Sequence, residues 1–336
     1  MRVMVRLREV ADLAGVSTKT VSQVVNGRGQ VSSETRRRVE DAVRQLGYRP
    51  NLSARHLAGG RTGIILFLLP STEASYFGQL AQRIISGAST DGLSVVTRHS
   101  DGDLDREVRE LREASTSSVD GVIALLRHPL AAEFVSTSLP LLLLGEMCAA
   151  VGAVDHVGID NAGAGAQVVE HLLSQGRRRI AVLGSALPGD LESPRITGAQ
   201  EALVQHGLTA VGVEHSAIAS RSKAQGYAAA QRLLAHELPD AMFCVNDDVA
   251  LGALAAVRDH GLSVPGDVAI AGFDNTDQTQ FSSPRLTTVA VDLEAMAAVA
   301  VARLLAAVGS RADPHRTGQA FLIPHQLIPR ASTVQE

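Results

Sequence analysis

Apolar residues recur along this chain in two rhythms, and the rhythm changes near residue 60. From Leu7 to Ala14 the positions Leu7, Val10, Ala11, Leu13 and Ala14 follow the 3.6-residue period of a helix, and Gly15 ends it as a C-cap would. Val16 fills a turn, and Ser17 is placed to N-cap a second helix with Val21, Val24 and Val25 on one face. A third helix, capped by Ser32 or Ser33, buries Val39, Ala42, Val43 and Leu46 and stops at Gly47. Beyond Arg61, buried strands alternate with amphipathic helices. Strands are expected at Gly63–Leu69, Leu93–Thr97, Gly121–Leu126, Leu139–Leu144, Arg179–Leu183, Ala241–Val245 and Val268–Ala271. Helices are expected at Tyr76–Asp91, Asp103–Ser117, Ala162–Gln175, Pro194–His206, Ser222–His236 and Val249–His260. Such alternation predicts an α/β body of parallel sheets with helices on both faces, and two such series predict two similar subdomains with a cleft between them.

Composition narrows this picture. The chain has 336 residues, 45% hydrophobic and 3% aromatic, enough for several cores. The apolar runs GIILFLL and LPLLLL are far shorter than the roughly 20 residues that span a bilayer, so they read as buried strands and no membrane partner is expected. Arg6 and Arg8 interrupt the N-terminus before any apolar stretch, which predicts no secretory signal and a cytoplasmic protein. Cys148 and Cys244 lie in apolar surroundings without metal-ligand spacing, so both read as core thiols, and no metal or cofactor is expected. The net charge of −4 hides an asymmetry: residues 1–60 carry +6 and the remainder −10. A basic head on an acidic body points to a polyanion met by the head alone, although charge by itself also fits a solvated face.

Two motifs carry chemistry. In the head, two short helices joined by a tight turn form a helix-turn-helix, and the second leaves Thr18, Lys19, Ser22 and Gln23 outside. Short hydroxyls, a cation and an amide suit phosphates and base edges in a major groove, Gln pairing bidentately with adenine. In the body, ligands of parallel sheets lie beyond the carboxyl ends of the strands. There the chain places Tyr76 and Phe77, Arg195, Asn246 with Asp247, and Asp274 with Asn275. An amide, a carboxylate, a guanidinium and aromatic rings form a clamp for a small polyhydroxylated or planar heterocyclic molecule. Each Asn or Asp is also a natural helix cap; their convergence from several strand ends is what points to a ligand. No GxGxxG, GxxxxGK[ST] or GxSxG motif follows a strand, and the adjacent Asp247 and Asp248 point in different directions at a helix start, so no catalytic residues and no enzyme are expected.

The stretch REVADLAGVSTKTVSQVVNG…VSSETRRRVEDAVRQLGYRPNLSARHLAGG resembles the head of the lactose/galactose repressor family, and the likeness continues to about Arg330. The resemblance implies a helix-turn-helix domain over residues 1–49, a hinge over 50–60 and a type I periplasmic-binding-protein-like core over 61–330. Within that core, one subdomain covers about 61–161 plus 292–319 and the other about 162–291 plus 320–330, leaving a tail at 331–336. It implies DNA contacts by Ser17, Thr18, Lys19, Thr20, Ser22, Gln23, Asn26, Tyr48, Asn51, Ala54 and Leu57. The hinge NLSARHLA would order on DNA and wedge Leu57 into the minor groove, with Ala54 at the same step. Effector contacts fall to Arg195, Asn246 and Asp274, with Tyr76 and Phe77 as aromatic contacts.

Four positions depart from the family pattern. Gln23 stands where Arg is common, which changes the operator base read there. Arg6 replaces the usual Thr cap, which should weaken the first helix by on the order of 1 kcal/mol. Gly145 replaces a polar residue, so that one hydroxyl contact is either missing or supplied by Glu146. Arg221 replaces a stacking aromatic, which fits either an acidic or phosphorylated ligand or a surface cation. The implied function is a sequence-specific transcriptional repressor, a homodimer on a pseudo-palindromic operator DNA, controlled by a small-molecule effector, a sugar or sugar derivative. A purine- or nucleoside-responsive regulator and a solute-binding protein are the alternatives; the basic head argues against the latter. The tail lacks leucine heptads, which favours a dimer.

Overall fold

The computed structural model describes residues 7–25, 31–46, 61–71, 74–135, 139–146, 152–185, 193–215, 221–309 and 317–334. The chain divides into two compact units, Met1–Gly63 and Ile64–Glu336.

In the first unit, α1 (Leu7–Ala14), α2 (Thr18–Val25) and α3 (Ser33–Leu46) enclose a miniature core of Val10, Ala11, Ala14, Val21, Val24, Val39 and Ala42. Their starts are set by capping hydroxyls. The Thr20 N–H donates to Ser17 Oγ at 3.1 Å, and the Thr35 N–H donates to Ser32 Oγ at 3.3 Å, which decides between Ser32 and Ser33. Gly15 takes φ +62° at the end of α1, and the Arg38 guanidinium donates to the Ala14 carbonyl at 2.5 Å, so a cation closes the negative end of that helix. Leu13 departs from the expected stripe and is 46% exposed. It lies about 110° around the helix from the centre of the Val10, Ala11 and Ala14 face, beyond what two small neighbouring helices cover.

The second unit contains two parallel sheets. The first is built from β1 (Ile64–Leu69), β2 (Ser94–His99), β3 (Gly121–Leu125), β4 (Leu141–Leu144) and β5 (Asp155–Gly158), in the order β2-β1-β3-β4-β5. It carries α4 (Ser75–Thr90), α5 (Leu104–Thr116) and the short α6 (Ala132–Val135). The chain then passes through α7 (Asn161–Ser174) into the second sheet, made of β6 (Ile180–Ser185), β7 (Val213–His215), β8 (Ala241–Cys244) and β9 (Ala269–Ala271) in the order β7-β6-β8-β9. Its helices are α8 (Pro194–Gln205), α9 (Lys223–His236) and α10 (Asp247–Asp259). It returns through β10 (Thr288–Val291) to α11 (Leu293–Gly309), which packs on α4, then through β11 (Ala320–Leu322) to β12 (His325–Ile328), antiparallel to β10.

Every element named from the pattern occurs within two residues of its expected bounds. The pattern did not announce α6, α11, β5, β7 or β10 to β12, which are short, or in the case of α11 apolar nearly all round. Two boundaries are corrected. β11 pairs with β5, Ala320 opposite His156, so residues 320–322 belong to the first sheet. Residues 331–334 are not a tail. Ser332 and Thr333 are buried, with Ser332 Oγ donating to the Ile270 carbonyl at 2.6 Å and accepting from the Thr287 N–H at 2.8 Å.

Candidate functional site

On the first unit, the outer face of α2 presents Thr18 and Lys19 exposed and Thr20, Ser22 and Gln23 half-buried. Ser17 is engaged as the cap of that helix, its hydroxyl also 2.9 Å from the Thr20 hydroxyl. Asn26, Tyr48, Asn51, Ala54 and Leu57 lie outside the described residues, as do Arg6 and the rest of the hinge.

On the second unit, a cavity of about 460 Å³ opens where the helix N-termini of both sheets converge. All seven expected effector residues line it: Tyr76, Phe77, Arg195, Asn246 and Asp274 from the strand ends, and Glu146 and Arg221 from the departures from the family pattern. The fold places them for identifiable reasons. Phe77 enters from the first turn of α4, where its ring meets Tyr76 edge-on at 5.6 Å. Glu146 follows β4 across Gly145, whose φ of +117° only glycine adopts without strain. Arg195 opens α8, and that helix lies so close to α7 that a Cβ at Gly165 would collide with the Arg195 carbonyl.

Arg195 is the hub. Its Nε donates to Asn161 Oδ1 at 2.9 Å; its Nη1 donates to the Val245 carbonyl and to Asp274 Oδ1, both at 3.0 Å. Its guanidinium stacks over Phe273, 3.7 Å from the ring centroid. Asp274 holds φ +105° and the next residue, Asn275, +50°, a strained pair for side chains with a Cβ. The strain is held by that Arg195 bond, by the Asn275 N–H on Thr288 Oγ1 at 3.1 Å and by Arg330 Nη2 on Asn275 Oδ1 at 2.6 Å. Asn246 is committed twice. Its Oδ1 caps α10 by accepting from the Val249 N–H at 2.9 Å, and its Nδ2 donates to the Arg221 carbonyl at 3.1 Å. It lines the cavity chiefly as the residue that positions Arg221.

Glu146 lies among cations. Burial alone raises its pKa, but Arg195, Arg221 and Arg127, with a hydrogen bond from Ser193 Oγ at 2.9 Å, hold the carboxyl at about 2. Burial pushes the Asp274 carboxyl up against the opposing pull of Arg195. Asp247 points away from the cavity, as its position beside Asp248 suggested. Its carboxyl is buried and pushed up, and accepts from the Thr276 N–H at 2.7 Å and from Thr288 Oγ1 at 2.6 Å. Asp248 does face the cavity, 3.3 Å from Lys223 Nζ.

Sequence reasoning missed Arg127, Asn161 and Met296. Arg127 follows the end of β3 and Asn161 opens α7, the same kind of position as the predicted residues occupy; Met296 belongs to α11, which no pattern announced. Arg221, which sequence left between ligand contact and surface cation, is buried, its side chain only 4% exposed. Leu125, Ile159, Val291 and Met296 give the cavity an apolar side. The arrangement offers charge, hydrogen bonds and an apolar wall, which is the chemistry of holding a small polar molecule.

A capped three-helix head and a two-sheet α/β core with a polar cavity define a ligand-binding core joined to a helix-turn-helix unit. Residues 6–51 match the family described as bacterial regulatory proteins, lacI family, and residues 169–333 match the periplasmic binding protein-like domain. The chain is 32% identical to the HTH-type transcriptional regulator DegA of Bacillus subtilis (strain 168), over 97% of each protein. It is also 32% identical to catabolite control protein A of Priestia megaterium, over 90% of this chain and 91% of that one. Among solved structures, the lac repressor dimer bound to operator and the anti-inducer ONPF superposes with a TM-score of 0.81 at 29% identity, over 98% of this chain and 99% of that one. The chain belongs to the lacI family of bacterial regulatory proteins. Among the described residues no helix is long and apolar enough to cross a membrane.

Proposed function

We propose that this regulator is a repressor that binds a pseudo-palindromic operator as a homodimer through α2 and releases or grips it according to a small hydroxylated metabolite in the cavity. The observation that carries the reading is the cavity itself, where Arg195, Asp274, Glu146 and Arg221 meet in one hydrogen-bonded cluster opposite an apolar wall. Support comes from the exposed polar face of α2 and from the family's lac repressor dimer, solved on its operator. Thr18, Lys19, Ser22 and Gln23 provide phosphate and base contacts, with Gln23 selecting adenine where it meets a base. A ligand acts here only through its different affinity for the two arrangements of the core.

The test is selection of duplexes from a random DNA pool, followed by anisotropy titrations of the recovered site at several salt concentrations. The expected result is a two-fold-related site whose affinity falls steeply with salt, and a Gln23→Ala variant that loses discrimination at one base pair in each half-site. Equal affinity for selected and random duplexes would sink the reading.

A further inference from the structure

Among the described residues, the charges that face the cavity do not balance. Among the described residues three guanidiniums line it, Arg127, Arg195 and Arg221, against the carboxylates of Glu146 and Asp274, while Lys223 and Asp248 pair with each other at 3.3 Å. One positive charge is left over. Arg195 is consumed by Asn161, Val245 and Asp274. Arg221 is 4% exposed at its side chain, reaches Glu146 only at 3.4 Å, and among the described residues its buried Nε has no hydrogen-bond acceptor. The same holds for the buried Nε of Arg127, whose guanidinium lies 5.5 Å from the centroid of the Phe77 ring. Burial draws Arg127 down to about 10, with Glu146 opposing and Arg221 and Arg195 adding repulsion, so it remains a cation at neutral pH.

A buried guanidinium and a half-buried one that repel each other, each with a buried, unused Nε donor, form an anion site. The N-termini of α4, α7, α8, α9 and α10 all border the cavity, and their dipoles add to the same positive potential. A neutral ligand leaves the surplus charge buried and unbalanced. A single surplus charge matches a carboxylate, whereas a phosphate monoester exceeds it. The carboxylates of Asp274 and Asp248 supply acceptors for hydroxyls, and the apolar wall supplies a face for C–H groups.

We propose that the cavity takes a carboxylated sugar, a uronate or aldonate, with its carboxylate between Arg127 and Arg221; this deepens and rests on the ligand-controlled regulator proposed above. Arg221 thereby reads the acid group, and Arg127 sets the preference for charge.

The experiment is calorimetric titration of the full chain with matched pairs: D-glucuronate against D-glucose, D-galacturonate against D-galactose, and D-gluconate against sorbitol, with glucose 6-phosphate as the dianion. At least one acid should bind at least tenfold more tightly than its neutral partner. In Arg127→Gln that preference should shrink below threefold with the melting temperature held within a few degrees. Arg221→Gln should do the same, and the pairs on the unaltered protein test the proposal even where that variant fails to fold. A neutral partner binding as well as its acid, glucose 6-phosphate outcompeting every carboxylate, or no acid binding at all overturns the proposal. Salt-dependent binding of the selected duplex by the same preparation separates the two readings. If it persists, only the acid ligand is lost; if it is absent, the regulator reading fails as well.

Discussion

At the scale of single residues, Arg195 shows how one side chain can set the geometry of a site. Its planar fork reaches three acceptors and lies flat on Phe273, so a lysine keeps the charge and loses the shape. Arg195→Lys should destabilise the second unit by roughly 2–4 kcal/mol, since Asn161, Val245 and Asp274 lose their donor in a buried setting. Urea denaturation monitored by circular dichroism reads this, and a loss under about 0.5 kcal/mol would mean that the hub is idle. His156 gives a pH signature. Burial lowers its pKa from 6.5 to about 4, so between those values the unfolded chain binds a proton that the folded chain refuses. The stabilising effect is complete above pH 6.5 and is lost as pH falls toward 4, up to roughly 3 kcal/mol. Glu146, held near 2, adds a loss of its own only below about 4.5. In His156→Gln the stability difference between pH 7 and pH 5 should flatten; an unchanged slope would assign it to other groups.

At the scale of elements, the helices and central strands were readable because period and caps agreed. Ser17, Gly15 and the Val21–Val24–Val25 stripe placed α2 unambiguously, and Asn246 was rightly placed at a helix start although it does more capping than ligand display. The site was readable where polar residues followed an obvious strand. It was hidden at Arg127, which looked like one more charge after an apolar run, and at Met296, whose helix is apolar nearly all round and shows no amphipathic stripe. No pattern announced the approach of α7 to α8, because close packing depends on what a glycine lacks. Gly165→Ala should push the Arg195 carbonyl, and α8 with it, away from α7, cost about 3 kcal/mol and weaken ligand binding. Thermal melts with and without the ligand identified by titration check both halves. A fully stable variant would show that α8 can shift freely, so that Arg195 is not fixed by this contact.

At the scale of the whole molecule, the order in space departs from the order in sequence, and no local rhythm encodes that. Residues 331–334 had looked like a tail because nothing periodic marks them, yet Ser332 bridges β9 and the segment before β10. Ser332→Ala leaves the Thr287 N–H and the Ile270 carbonyl without that bridge, and chemical denaturation should register a loss of about 2 kcal/mol. A change below 0.5 kcal/mol would mean that water replaces the hydroxyl. The other long-range closure is β11 on β5, reinforced where Asp155 accepts from Arg303 and from the Gln319 N–H. During synthesis, β1 to β5 leave the ribosome before the second sheet and wait for their last partner until that entire sheet has been made. Throughout that interval the nascent sheet carries a bare hydrogen-bonding margin at β5, a template for another chain's strand. Elongation rate and holdase chaperones would therefore govern the yield of this protein more than its final stability does.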